Sequence, residues 1–196
     1  MPKVSEEYRE ARRGEIAHAA IRCLERNGVR ETSIADIVAE SGLSTGAIYS
    51  HFSNKAELAR YIVGRFLIVR LDALETRGEA GEIIPPREAL EEMLGVFATA
   101  GLSPALVVQF WGEAMVDGDL KAEMTKTAGR LFGALTSATL PWARTQTSGE
   151  EAAVRRAQES ARSIAGLAQG YIAYSAVFGA RDPREYVEAA ASVLTA

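Results

Sequence analysis

Apolar residues recur along this chain at spacings of three and four, the signature of helices with one buried face. Ile16, Ala19, Ala20, Cys23 and Leu24 share a face and predict a first helix from about Glu6 to Asn27, ended by Asn27-Gly28. Ser33-Ile34-Ala35-Asp36 reads as a capping box with aspartate in place of the usual glutamate. The helix it opens buries Ile34, Ile37 and Val38 and stops at Ser41-Gly42. Ser44 caps a third, very short helix that carries Ile48 and Phe52 inward. Asn54-Lys55-Ala56-Glu57 is another capping box, opening a long fourth helix through Leu58, Ile62 and Phe66 to about Leu74.

Residues 76–84 (TRGEAGEII) read as a loop, and beyond them the helices become longer and more apolar. Pro86 suits the first turn of a fifth helix, and Ser103-Pro104 sets an N-cap followed by proline at the first helical position. Asp117-Gly118-Asp119 separates a sixth helix from a seventh. Ser148-Gly149-Glu150-Glu151 caps an eighth that continues to about Phe178, and Asp182-Pro183-Arg184-Glu185 opens a ninth. The short apolar run Ile83-Ile84 ends at once in Pro85-Pro86, so no strand is expected. The pattern is that of an all-α chain of about nine helices.

Composition narrows the class without choosing a function. The 47% hydrophobic and 24% charged residues are ordinary for a globular chain that buries a core. No run approaches the ~18 apolar residues that span a bilayer, so no membrane partner is expected. The N-terminal stretch MPKVSEEYREARRGE mixes acids and bases and lacks an apolar signal core. Cys23 is the only cysteine, and with His18 and His51 it shows no metal-ligand spacing, so a reducing cytoplasm and neither metal nor cofactor are expected. His18 and Cys23 are read as helix packing. The net charge of −4 is unevenly spread. Residues 1–60 carry nine basic and nine acidic side chains, the remainder thirteen and seventeen. A neutral head on an acidic body is compatible with nucleic-acid contact, because phosphate binding depends on the docking face.

Residues 32–55, TSIADIVAESGLSTGAIYSHFSNK, concentrate the chemistry. A helix, a tight glycine-containing turn and a second short helix with a small, polar outer face form the layout of a helix-turn-helix, whose second helix enters the major groove. Ile34, Ile37, Val38, Leu43, Ile48 and Phe52 pack inward, leaving Ser44, Thr45, Gly46, Ala47, Ser50 and His51 outward. Small side chains there allow close approach to base edges. Thr32 and Ser33 start one helix and Lys55 the next, where free N–H groups favour phosphate. Tyr49 can offer its hydroxyl to the backbone at the groove wall. His51 reads equally as a phosphate contact or a solvated residue.

With Ala19-Ala20, Gly28, Thr32, Ile34-Ala35-Asp36-Ile37-Val38, Gly42-Leu43-Ser44, Gly46, Ile48-Tyr49-Ser50-His51-Phe52, Lys55 and Leu58 in order, residues 12–63 resemble the TetR-like (TetR/AcrR-type) transcriptional regulators. The resemblance implies groove reading by Thr45 to Ser50 and phosphate contacts at Thr32, Tyr49, His51 and Lys55. Thr45 departs from the Lys or Arg that many members carry, which leaves individual base contacts open. Beyond residue 75 the likeness thins to a helical pattern. It implies an N-terminal three-helix DNA-binding domain over 1–55 and a C-terminal ligand-binding and dimerisation domain over 56–196, connected by the helix from about 55–75.

In the C-terminal part the segment LVVQFWGEAMV (106–116) is apolar around most of its circumference. Phe97, Phe110, Trp111, Met115, Met124, Leu131, Phe132, Trp142, Tyr171 and Tyr174 supply large adaptable side chains that either line a pocket for an apolar small molecule or fill a core. Gln109 and Glu113 lie one turn apart, facing either that cavity or water and a neighbouring helix. Ala161, Ala165, Ala168, Gly170, Ala173 and Val177 put small residues along one helix, and Val187, Ala190, Ala191 and Leu194 form a stripe on the next. The resemblance implies that these two helices pair with their copies in a four-helix homodimer interface, giving two heads for a near-palindromic operator. It also implies repression released by a small effector. A helical small-molecule-binding or scaffolding protein without DNA reading is the alternative. No nucleophile–base pair, phosphate loop or cofactor motif suggests an enzyme.

Overall fold

A computed structural model describes residues 5–99, 102–179 and 181–194. Residues 1–4, the start of the stretch read for a signal, lie outside them. Among the described residues all regular structure is helical: α1 (Glu6–Asn27), α2 (Ile34–Ser41), α3 (Thr45–Tyr49), α4 (Lys55–Val63), α5 (Val69–Glu79), α6 (Pro86–Thr99), α7 (Pro104–Ala114), α8 (Gly118–Gln146), α9 (Glu150–Phe178) and α10 (Pro183–Leu194). A π-helical turn at Gly64–Ile68 joins α4 to α5. These two therefore make up the fourth of the nine helices expected. The chain is all-α. No helix among the described residues is long and apolar enough to cross a membrane.

The elements pack as two compact units, one containing the chain up to Val63 with Gln109–Met124, the other Gly64–Val108 with the chain from Thr125 onward. In the first unit α1 packs on α2 and α4, and α2 on α3. Ile16, Ala20, Cys23, Ile37, Ile48, Phe52, Leu58 and Ile62 are buried there. His18, by contrast, is exposed, so only Cys23 of the two side chains expected to pack does so. Phe52 meets Tyr61 edge-on at 5.3 Å, and the Arg13 guanidinium lies over both rings, 4.4 and 4.9 Å from their centroids.

Local rules set most boundaries. The Ser33 hydroxyl accepts from Asp36 N at 3.2 Å while the Asp36 carboxylate accepts from Ser33 N at 2.7 Å, completing the box that starts α2. Gly42 ends that helix in the left-handed region at φ 68°. Asn54 caps Glu57 N at 2.8 Å, but Glu57 reaches back to Ser53 rather than to Asn54. Gly149, not Ser148, stands at the N-cap of α9, without a side-chain bond.

In the second unit α6 packs against α9, α10 and α5. Leu71, Leu74, Ile84, Leu90, Leu94, Leu135, Ile164 and Tyr171 form its core. The loop expected over 76–84 is shorter, because α5 runs through Glu79. Gly78, readable as a helix breaker, instead lies inside α5 against α8. A Cβ built on it would fall 2.6 Å from Ala138 Cα.

Candidate nucleic-acid interface

The candidate surface is built on α3. Ile48 and Phe52 are fully buried and anchor it, and the Ser44 hydroxyl accepts from Ala47 N at 3.2 Å to start it. Ser44, Thr45, Gly46, Tyr49 and Ser50 are exposed and Ala47 is half-buried. Ser50 donates to the Ala47 carbonyl at 2.7 Å. A Cβ on Gly46 would meet no atom within 4 Å, so this face stands open. Tyr49, 52% exposed, presents its ring and hydroxyl at the surface.

The expected phosphate holders behave differently from one another. Thr32 is buried; its hydroxyl donates to the Gly28 carbonyl at 2.7 Å and its N–H to the same oxygen at 3.2 Å. Ser33 is occupied by its exchange with Asp36, whose carboxylate stands at the start of α2. The anion-binding capacity of that helix start is thereby spent inside the chain. Lys55 donates to the Val29 carbonyl. Burial pulls its ammonium below the usual lysine range, opposed by the charges of Glu113, Asp117 and Glu31.

His51 is half-buried, and its Nδ1 has no hydrogen-bond partner among the described residues. Burial, then Arg9, Arg13 and Arg12 of α1, hold its imidazole below its ordinary pKa of 6.5. These three arginines were not among the residues singled out in the sequence. Their spacing on α1 is visible there, but not that they converge on a turn about forty residues away. Arg13 also donates to the His51 carbonyl at 3.1 Å, whereas Arg9 is exposed.

This environment has a pH consequence. The unfolded chain takes up the His51 proton at a higher pH than the folded chain does, so stability falls as pH drops through about 6.5 and toward the folded value. His51→Gln should flatten that part of a melting-temperature profile between about pH 7 and 5.5, above the range where carboxylates protonate. An identical profile in the variant would remove His51 as the cause.

Residues 16–62 match the family model described as bacterial regulatory proteins, tetR family. The head of the chain is similar to that family over this stretch. An HTH-type transcriptional regulator of Bacillus subtilis, YfiR, is 37% identical over 78 residues, which cover 40% of this chain and 38% of that one. The regulator BetI of Burkholderia mallei is 27% identical over 177 residues, covering 87% and 83%. A TetR transcription regulator from Haloarcula marismortui superposes with a TM-score of 0.71 at 16% identity, over 95% of this chain and 97% of its own, and shares the fold. The chain spans less than half the length of the first curated relatives it matches.

Outside the matched head, the residues expected to line an effector pocket are divided. Gln109, Phe110, Trp111, Glu113, Met115 and Met124 belong to the same unit as the head; Phe97, Phe132, Tyr171 and Tyr174 belong to the other. Gln109 accepts from Val29 N at 2.8 Å. Glu113 and Phe110 border a cavity of about 40 Å³ with Lys55, enough for a water or two. Trp111 and Met124 are half-buried, and Met115 is 81% exposed. In the second unit Phe97 packs on the core 5.8 Å from the Tyr171 ring, and Tyr171 donates to the Arg181 carbonyl at 2.8 Å. Arg162 lies over Phe132, and Arg181 over the partly exposed Tyr174. A groove of about 430 Å³ in that unit is lined by Glu88, Glu91, Glu92, Gly95, Ala98, Asp182, Pro183 and Arg184, none of them an expected pocket residue.

The small-residue stripes also divide. Ala161, Ala168, Val187, Ala190 and Leu194 are buried in the core of the unit, where α9 and α10 pack on α6. Gly170 gives room to Tyr186, whose hydroxyl oxygen would lie 3.1 Å from a Cβ there and donates to the Leu167 carbonyl. Ala165 and Ala191 are half-buried, while Ala173 and Val177 face outward beside Phe178.

Proposed function

We propose that the chain is a ligand-responsive DNA-binding transcriptional regulator, a homodimeric repressor of a near-palindromic operator that is released by a small, largely apolar effector. The observation that carries this reading is the outer face of α3: an open Gly46 between Thr45 and Ala47, with exposed Tyr49 and Ser50 beyond, on a helix anchored by buried Ile48 and Phe52. A surface of that shape admits base edges where larger side chains would hold them off. Residues 1–55 are the proposed reader and 56–196 the proposed sensor and dimerisation part, joined by the helix from about 55–75. Ala173, Val177 and Phe178, exposed near the end of α9, support pairing with a second copy through that helix.

Repression and release follow as a population shift. The effector moves the dimer only by its difference in affinity for the DNA-competent state and the other. Phe97 and Phe132, half-buried beside the core of the second unit, supply the apolar surface proposed for it, and no bound group or chemical step is needed. The regulators among the relatives support a non-enzymatic role in the cytoplasm.

The test is selection of duplexes from a random library, followed by fluorescence anisotropy of the full chain on the enriched sequence at varied salt. Affinity should fall linearly on a log–log plot with salt, with a slope near −0.9 for each phosphate neutralised. Tyr49→Phe removes one neutral hydroxyl contact and should weaken binding by roughly fivefold, about 1 kcal/mol, with unchanged melting. A selection that enriches nothing, with binding no tighter than to random duplex, would favour a helical small-molecule-binding or scaffolding protein.

A further inference from the structure

We propose that Gln109 is a positioning residue for operator recognition: its carboxamide sets the turn between α1 and α2, on which the reading helix is built. The proposal rests on the DNA-reading function above and adds to it a residue far outside the helix-turn-helix. Val29, at the centre of the turn, is 2% exposed and has both backbone groups held by side chains from elsewhere. Its N–H donates to Gln109 Oε1 at 2.8 Å across eighty positions of sequence, and its carbonyl accepts from Lys55 Nζ. A turn has no ladder of its own, so two side chains supply what a helix or sheet would otherwise provide.

The fit at this point is close. Gly28 takes φ +83°, and a Cβ on it would lie 3.0 Å from Gln109 Oε1. The amide oxygen therefore rests against a turn that glycine accommodates without displacement. From Gly28 the bonding runs on to the reader. The Gly28 carbonyl accepts both the N–H and the hydroxyl of Thr32, and the next residue, Ser33, caps α2. α2 packs on α3. Gln109 is also the first residue of the stretch 109–124 that folds with the head, and Glu113 and Asp117, on the same stretch, border the cavity beside Lys55. Loss of the acceptor leaves the Val29 N–H buried without a partner and lets the turn sample other geometries.

Gln109 is itself exposed, so a leucine there displaces no packed neighbour. Gln109→Leu removes the acceptor, whereas Gln109→Glu keeps it. In the free full-length chain, Val29 amide exchange should accelerate about tenfold in the leucine variant and stay slow in the glutamate variant. On the selected duplex the leucine variant should bind roughly tenfold more weakly, with random-duplex affinity unchanged and melting lowered by no more than a few degrees, and the glutamate variant should recover wild-type affinity and melting. Unchanged Val29 exchange in the leucine variant overturns the clamp. Faster exchange with undiminished operator affinity overturns its positioning role, as does a glutamate variant as weak as leucine. A wild-type chain that protects Val29 yet prefers no DNA sequence defeats the regulator reading instead, and the proposal falls with it. The exchange measurement on the free protein tells those failures apart.

Discussion

Gly78→Ala should lower the melting temperature, although intrinsic helix propensity alone argues that it should raise it. Alanine in a helix interior is favoured over glycine by about 0.8–1.0 kcal/mol. At this crossing, however, the new methyl would lie 2.6 Å from Ala138 Cα and 2.8 Å from the Ser137 carbonyl oxygen, both backbone atoms of α8 that cannot rotate away. The helices must separate, and overpacking of this kind costs about 1–3 kcal/mol or more. Ala134, Leu135 and Ala138 on α8 and Leu71 and Leu74 on α5 are buried in one core, so separation also loosens their packing. A clash this close puts the cost at the upper end of that range, about 3 kcal/mol, so after the propensity gain the net loss should be about 2 kcal/mol, a fall of roughly 4–8 °C for a chain of this size. Gly133→Ala, on the same α8 with no atom within 4 Å of the added methyl, is the control and should melt at or slightly above wild type. A Gly78→Ala protein melting as high as that control would mean that α5 and α8 do not approach as closely as described.

Gly46→Leu should leave melting unchanged or raise it slightly and abolish most operator affinity. Gly46 sits in α3 with nothing within 4 Å of a Cβ, and its backbone is not in the left-handed region, so leucine meets neither a clash nor a strained φ. Any harm it does must arise when another molecule approaches. A leucine at the centre of the proposed groove-facing surface would hold the helix away from the bases and disrupt the contacts proposed for Thr45, Ala47 and Ser50 around it. Two lost base contacts at about 1–3 kcal/mol each correspond to roughly a hundredfold weaker binding. Random-duplex binding should fall less, because phosphate contacts carry no sequence information and do not depend on a small side chain facing the bases. Full operator affinity in this variant would show that α3 does not enter the groove. Two glycines in helices thus have opposite expected effects on stability, and only the surroundings of each distinguish them.

The head was legible in the sequence because its information is local. Capping exchanges such as Ser33 with Asp36 join residues three apart, Gly42 sits where the chain must turn left-handed, and the apolar spacing of Ile34, Ile37 and Ile48 selects the buried faces. Those features specify the helices, their ends and the small outer surface of α3. Side-chain roles that depend on distant partners were not legible. Lys55 looked available for phosphate because nothing nearby in sequence competes for it; in the fold the Val29 carbonyl does. Arg9, Arg12 and Arg13 gather around His51 only once α1 lies against the helix-turn-helix.

The same division holds in the rest of the chain. Periodicity told that the body is helical and that α9 is long, because a helix repeats every 3.6 residues whatever it packs against. It could not tell which apolar residues share a cluster. Gln109, Phe110 and Glu113 continue the helix begun at Pro104, yet they fold with the head, and Gln109 serves the backbone of Val29. Nor could it tell why a small residue is small. Gly78 admits the backbone of α8 and Gly170 admits Tyr186, while Gly46 faces open space. The sequence by itself determined the helices, most of their ends and the character of each face, since these follow from interactions within a few residues. The tertiary structure alone decided which polar groups remain free and what each face meets, since hydrogen-bond capacity and close packing are shared out among residues that only folding brings together.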